Sequence, residues 1–164
     1  MNLRLQDADI TMRLFLTAFL IVLTIGYGIG LFLVEHQTSY SPTGVEEQFL
    51  GNEGSATATE LRHSKSANEM FVFMHNHVLS MAIVFFCVGG VFYFSSIVSE
   101  RMKRWLMVEP LVALLTTFGG IALVRFVSPY FSWLVILSGA SLFVCYTAMV
   151  VLILIELWIA SKMK

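Results

Sequence analysis

The sequence predicts an all-α integral membrane protein, a four-helix bundle organised as a single membrane domain over residues 1–164. Three observations predict it. The chain is 57% hydrophobic and only 13% charged, whereas a soluble domain carries about a quarter charged residues. Its mean hydropathy is +0.80. Four apolar runs each reach the roughly 20 residues that a spanning helix needs.

The first span is expected over residues 14–34. It is too long for a secretory h-region of about 7–15 residues, and it ends in GLFLVEHQTS rather than in small residues. It therefore reads as a retained helix. The second span is expected over 70–98, the third over 106–126 and the fourth over 131–160. The second and fourth exceed a bilayer's need, so they tilt or project beyond it.

Between the first two spans lies a loop, 35–67, with SPTG and GNEGS as turn signals and VEEQFL as a short surface helix. Loops of this length in a small bundle are functional or disordered.

Orientation follows the basic residues near the ends of the spans. Arg4 and Arg13 precede the first span. Arg101, Lys103 and Arg104 lie in the SERMKRW turn, and Lys162 and Lys164 close the chain. The 35–67 loop carries five glutamates, with Glu69 just beyond it, against Arg62 and Lys65. Both termini are thus expected in the cytoplasm, the loop in the periplasm, and the chain in a bacterial inner membrane, surrounded by lipid.

Each span also carries small residues for close helix packing: Gly26 and Gly30, Gly89 and Gly90, Gly119 and Gly120, and Ser138 to Ser141. Cys87 and Cys145 lie deep in apolar runs without metal-ligand spacing, and read as packing residues. No basic patch points to nucleic acid. No hydrolase, metalloprotease, P-loop or dinucleotide motif is present, so the chain is not expected to be an enzyme on its own.

The chemistry concentrates in MFVFMHNHVLSMAIVFF, Met70 to Phe86. On a helical wheel referred to Ser80, Glu69, Asn76 and Cys87 fall close to it on one side, and His77 and Ser95 fall within a quadrant on the other. His75 falls on the opposite side of the helix. Polar groups within a membrane face the bundle interior or water, so His77 is expected inside and His75 outside. His75 and His77 point about 200° apart and do not chelate one metal on an unbroken helix.

All four histidines, His36, His63, His75 and His77, lie towards the loop side, with Arg125 near the outer end of the third span. Histidine ligates haem, copper or zinc and exchanges protons near neutral pH. Three readings stay open. In the first, His77 ligates a haem b with His36 or His63 opposite, and Arg125 pairs with a propionate. In the second, His77 hydrogen-bonds a quinone and Glu69 takes a proton. In the third, His77, Asn76 and Arg125 form a polar cluster that pins the loop, and the chain is a cofactor-free scaffold subunit. Copper at His77 or His75 beside Met70, Met74 and Met81 is a further alternative.

Towards the cytoplasmic side, Glu109 before Pro110 reads as first-turn helix chemistry. Glu156 reads as hydrated at the interface or paired with Lys162. With no ionisable residue expected in mid-span, a pump or channel is disfavoured.

The pattern Gly51-Asn52-Glu53, Lys65, Glu69 and His75-Asn76-His77 resembles small bacterial four-helix inner-membrane proteins with a GNE…K…E…HxH pattern, whose role is not assigned. Some of them accompany cytochrome-type electron-transfer systems. The resemblance spans the outer loop and the start of the second span. It implies an accessory subunit working beside other membrane subunits or cytochromes, and it names no ligand.

Overall fold

A computed structural model describes residues 4–54 and 61–159. Five α-helices follow a 3-10 turn at Leu5–Asp7: α1 Ile10–Thr38, α2 Pro42–Leu50, α3 Ala67–Phe92, α4 Glu100–Phe126 and α5 Ser132–Trp158. Four of them, all but α2, are long and apolar enough to cross a membrane. The chain is a multi-pass, all-α membrane protein, as its sequence predicts.

Side-chain caps set where the helices start. Asp9 accepts from the Met12 amide at 2.7 Å and opens α1. Ser41 accepts from the Gly44 amide at 3.0 Å and opens α2, with Pro42 in the first turn. Ser66 and Glu69 form a reciprocal capping box at α3, and Ser99 caps α4. Each cap satisfies an amide that the first helical turn leaves open.

These caps move several expected boundaries. SPTG is the start of α2 rather than a free turn, and α2 buries Val45 and Phe49 instead of lying on the surface. The second span ends at Phe92, not 98, because the residues after it bond Glu156 or cap α4. The third begins at Glu100, not 106. Hydropathy does not register its polar first turn, whereas the Ser99 cap does.

That shift overturns the reading of Glu109. It lies well inside α4, about 14 Å along the axis from Glu100. Pro110 is likewise interior, where its missing N–H leaves one turn of the helix without a bond.

The core forms around α4 and α5, which bury 44% of their apolar windows, against 6% for α1 and 11% for α3. Thr117 donates to Ser138 across the pair at 2.8 Å. A Cβ on Gly120 would lie 3.0 Å from Val135 Cγ2, so the two helices approach closely there. α3 leans on both helices through Phe85, Val88 and Phe92, all buried. α1 meets α5 through Tyr27, whose ring stacks on Tyr146 at 4.1 Å, and through Thr24, 3.2 Å from the Tyr146 hydroxyl. Arg13 donates to the Leu157 carbonyl at 2.9 Å and to the Ala8 carbonyl at 2.8 Å, tying the start of α1 to the end of α5.

Glu156 also departs from expectation. It has no exposed surface. The Ser95 hydroxyl donates to one of its oxygens, and the Ser96 hydroxyl to the other at 2.7 Å. The Ser96 amide adds contacts at 2.9 and 3.0 Å. The carboxylate therefore anchors the α3–α4 turn. Lys162, its expected partner, lies outside the described residues.

Candidate functional site

The loop side of the bundle is the one that carries α2 and residues 51–54 and 61–66. The expected site residues all lie on it.

Hydrogen bonds hold the loop in place. Gly51 ends α2 at φ +84°, and a Cβ there would sit 2.7 Å from the Ser64 amide nitrogen. Only glycine fits such a position readily. Asn52 and Arg62 pair through the Asn52 amide to the Arg62 carbonyl, 2.9 Å, and the Arg62 amide to Asn52 Oδ1, 2.8 Å. The Arg62 guanidinium reaches the Gln37 carbonyl and Gln48 Oε1. Glu46 accepts from Ser132 at 2.8 Å and fastens α2 to α5. The Lys65 amide bonds the Phe49 carbonyl at 3.1 Å, and Arg125 Nε donates to the Lys65 carbonyl.

Arg125 is thus a loop clamp, half-buried, with its guanidinium also over the Phe126 ring at 5.3 Å. Glu69 is exposed and engaged in the Ser66 capping box. His63 Nδ1 bonds Glu53 Oε1, and His36 is exposed in the last turn of α1.

His77 has the most informative geometry. Its Nδ1 lies 2.9 Å from the Phe73 carbonyl oxygen. A carbonyl only accepts, so Nδ1 carries a proton, and in the neutral ring Nε2 keeps its lone pair. This is the outer-shell arrangement that fixes the tautomer of ligating histidines. The ring packs 4.2 Å from Phe73 and 5.6 Å from Phe118 of α4. Phe73 in turn contacts Phe49 of α2 at 5.7 Å, so an aromatic chain runs from loop helix to imidazole.

The expected inward direction of this face does not hold within the single chain. Asn76, His77 and Ser80 are all exposed. The reason is that α3 buries Met70, Phe85, Val88 and Phe92 instead, and large apolar groups outweigh short polar ones in choosing the packed face. Ser80 folds its hydroxyl back to the Asn76 carbonyl at 2.7 Å. His75 is exposed as well. Among the described residues, no three His, Cys, Asp or Glu side chains converge as a metal site.

Sequence reasoning missed a second polar locus. Glu109 accepts from the Ser141 hydroxyl and, at 3.0 Å, from the Cys145 thiol, both on α5. The available signal was the Ser99-Glu100 helix start, which places Glu109 well beyond the first turn.

A family model for a transmembrane helical domain, Aq_1264_TM, matches residues 39–164. The chain belongs to that family. The matched region begins directly after α1, so this transmembrane helical domain comprises α2 to α5. It contains His63, Glu69, His75, Asn76, His77, Arg125 and Glu109, and leaves His36 outside. No curated protein matches the chain. No solved structure matches it either.

Proposed function

We propose that the chain is a small accessory subunit of an electron-transfer system in a bacterial inner membrane, with His77 serving a haem b or quinone-related site on the loop side. In this reading both termini are cytoplasmic and the loop side is periplasmic, in keeping with Arg101, Lys103 and Arg104 at the start of α4 and with the acidic loop.

The observation that carries the proposal is the His77 ring itself. Its Nδ1–H is committed to Phe73, and Nε2 is open on an exposed face of a membrane helix. An uncovered polar face within a membrane calls for a partner. His77 Nε2 would hold a haem, with His36, His63 or a neighbouring subunit supplying the other ligand. Haem bound there supplies one-electron transfer. The same nitrogen accepts a hydrogen bond from a quinol hydroxyl. The protein's own part is to orient the ring and to shield it with Phe73 and Phe118. Copper is less well supported, because His75 and His77 point apart on an unbroken α3.

A second reading, a cofactor-free scaffold, has its own support. Gly51, Asn52, Lys65, Glu69 and Arg125 all serve to hold the loop or cap a helix.

A reduced-minus-oxidised visible spectrum of the chain isolated in mild detergent with its native partners separates the two, combined with metal analysis and solvent extraction of quinone. A b-type signal or a co-purifying quinone is expected. A flat spectrum with neither metal nor quinone favours the scaffold.

A further inference from the structure

Glu109 sits where a carboxylate is costly. The α4–α5 pair is about 40 Å long, and the hydrocarbon core spans about 30 Å. About 14 Å from its end, Glu109 lies inside that core, on the half nearer the α3–α4 turn. Its partners, Ser141 and Cys145, are neutral donors. Among the described residues no cation pairs with it. Lys103 is bonded to Glu100 at 3.0 Å, and Arg104 Nε points back to the Glu100 carbonyl at 3.3 Å. Tyr27 and Tyr146, stacked where α1 meets α5, carry no positive charge.

The direction of Glu109 follows from the helix geometry. On a helical wheel referred to Glu109, Gly120 and Thr117, which meet α5, fall on its own side. Phe118 and Met107, which meet α3, fall on the opposite side. Glu109 is therefore at the lip of the α4–α5 seam turned away from α3. Beyond it the helix is open: Val112 is 58% exposed, and on α5 Leu137 and Val144 flank Ser141 at 67% and 57%. Glu109 itself is half-buried.

We infer that this seam is a docking surface for a transmembrane helix of another protein that carries an arginine or lysine at the depth of Glu109. Charge complementarity selects the occupant. A half-exposed carboxylate in hydrocarbon is stabilised by a cation brought against it, and apolar flanks with a small hydroxyl between them accept a helix closely. Among the described residues of the spanning helices, no cation lies at the depth of Glu109, so a second copy offers no match. Its Arg13 is held by Ala8 and Leu157 at the membrane edge. The surface is independent of His77, which lies on the other half of the bundle and on α3.

The test uses the full chain in phosphatidylcholine bilayers with two synthetic leucine-rich spanning peptides. One carries a single arginine at the matching depth and the other leucine there. Association is read by energy transfer from a dye on the chain's N-terminus. The arginine peptide is expected to bind roughly threefold to tenfold more tightly, and Glu109→Gln to abolish that preference. The wild-type comparison needs no variant. Val112→Trp, which fills the seam while leaving Glu109 in place, is expected to weaken binding too. Equal binding of both peptides overturns the inference. So does a preference that survives Glu109→Gln, or association of the chain with itself through this seam.

Discussion

Glu156 and Ser96 meet through both the hydroxyl and the amide of the serine, joining the end of α5 to the turn before α4. With Ser95, they convert a polar stretch between two spans into a fixed corner. Glu156 has no exposed surface, so these donors replace water entirely.

Glu156→Ala removes the acceptor and leaves Ser95, Ser96 and the Ser96 amide without it. Each orphaned donor costs about 1–3 kcal/mol. The expected loss is therefore at least about 2 kcal/mol, measured by thermal unfolding in detergent. Glu156→Gln, which keeps one acceptor oxygen, loses less. Equal melting of Glu156→Ala and wild type would contradict the anchor.

Gly44 tests the corner between α1 and α2. A Cβ there would lie 2.0 Å from the Thr38 carbonyl oxygen, a backbone atom that cannot swing aside. Gly44→Ala should destabilise the protein by more than about 1 kcal/mol. Gly28→Ala in α1 meets nothing within 4 Å and should leave the melting temperature nearly unchanged. The comparison of the two melting curves checks the packing directly.

The legibility of the chain divides along physical lines. Four spans and a helical piece in the loop were readable because apolar length and composition report on lipid. The caps at Ser66 and Ser99 were also there to be read, and the Ser99 cap would have moved Glu109 off the first turn. Which face of α3 packs was not readable from the polar residues. Phe85, Val88 and Phe92 decide it through contacts with α4 and α5 that are distant in sequence. The pairing of Ser95 and Ser96 with Glu156, far along the chain, was closed to local reasoning for the same reason. The loop-side location of the candidate histidines was legible; the Phe73 bond that fixes the His77 tautomer needed the helix.

Thr117 and Ser138 form a buried polar bond within the α4–α5 pair. A double-mutant cycle with Thr117→Val and Ser138→Ala should give a coupling of about 0.6 kcal/mol, the typical scale for hydrogen bonds between membrane helices. Strict additivity of the two variants would show that the bond contributes nothing specific.

Arg125→Ala releases the Lys65 carbonyl and one clamp on the loop. Backbone amides around Ser64 to Ser66 should exchange hydrogen faster, with the α4 and α5 core unchanged. Arg125→Lys, with one rotatable ammonium in place of the guanidinium, should restore protection only in part. Unchanged exchange in Arg125→Ala would show that the loop is held without it.

The most direct measurement concerns His77 and His75. Each is replaced by alanine, and the cofactor content of the chain, isolated with its native partners, is compared with wild type by difference spectroscopy and quinone extraction. His77→Ala should lose the haem or quinone while His75→Ala keeps it, because His77 has its Nδ1 bound to Phe73 and its Nε2 left open beside Phe118. Loss with His75→Ala and retention with His77→Ala would contradict the account.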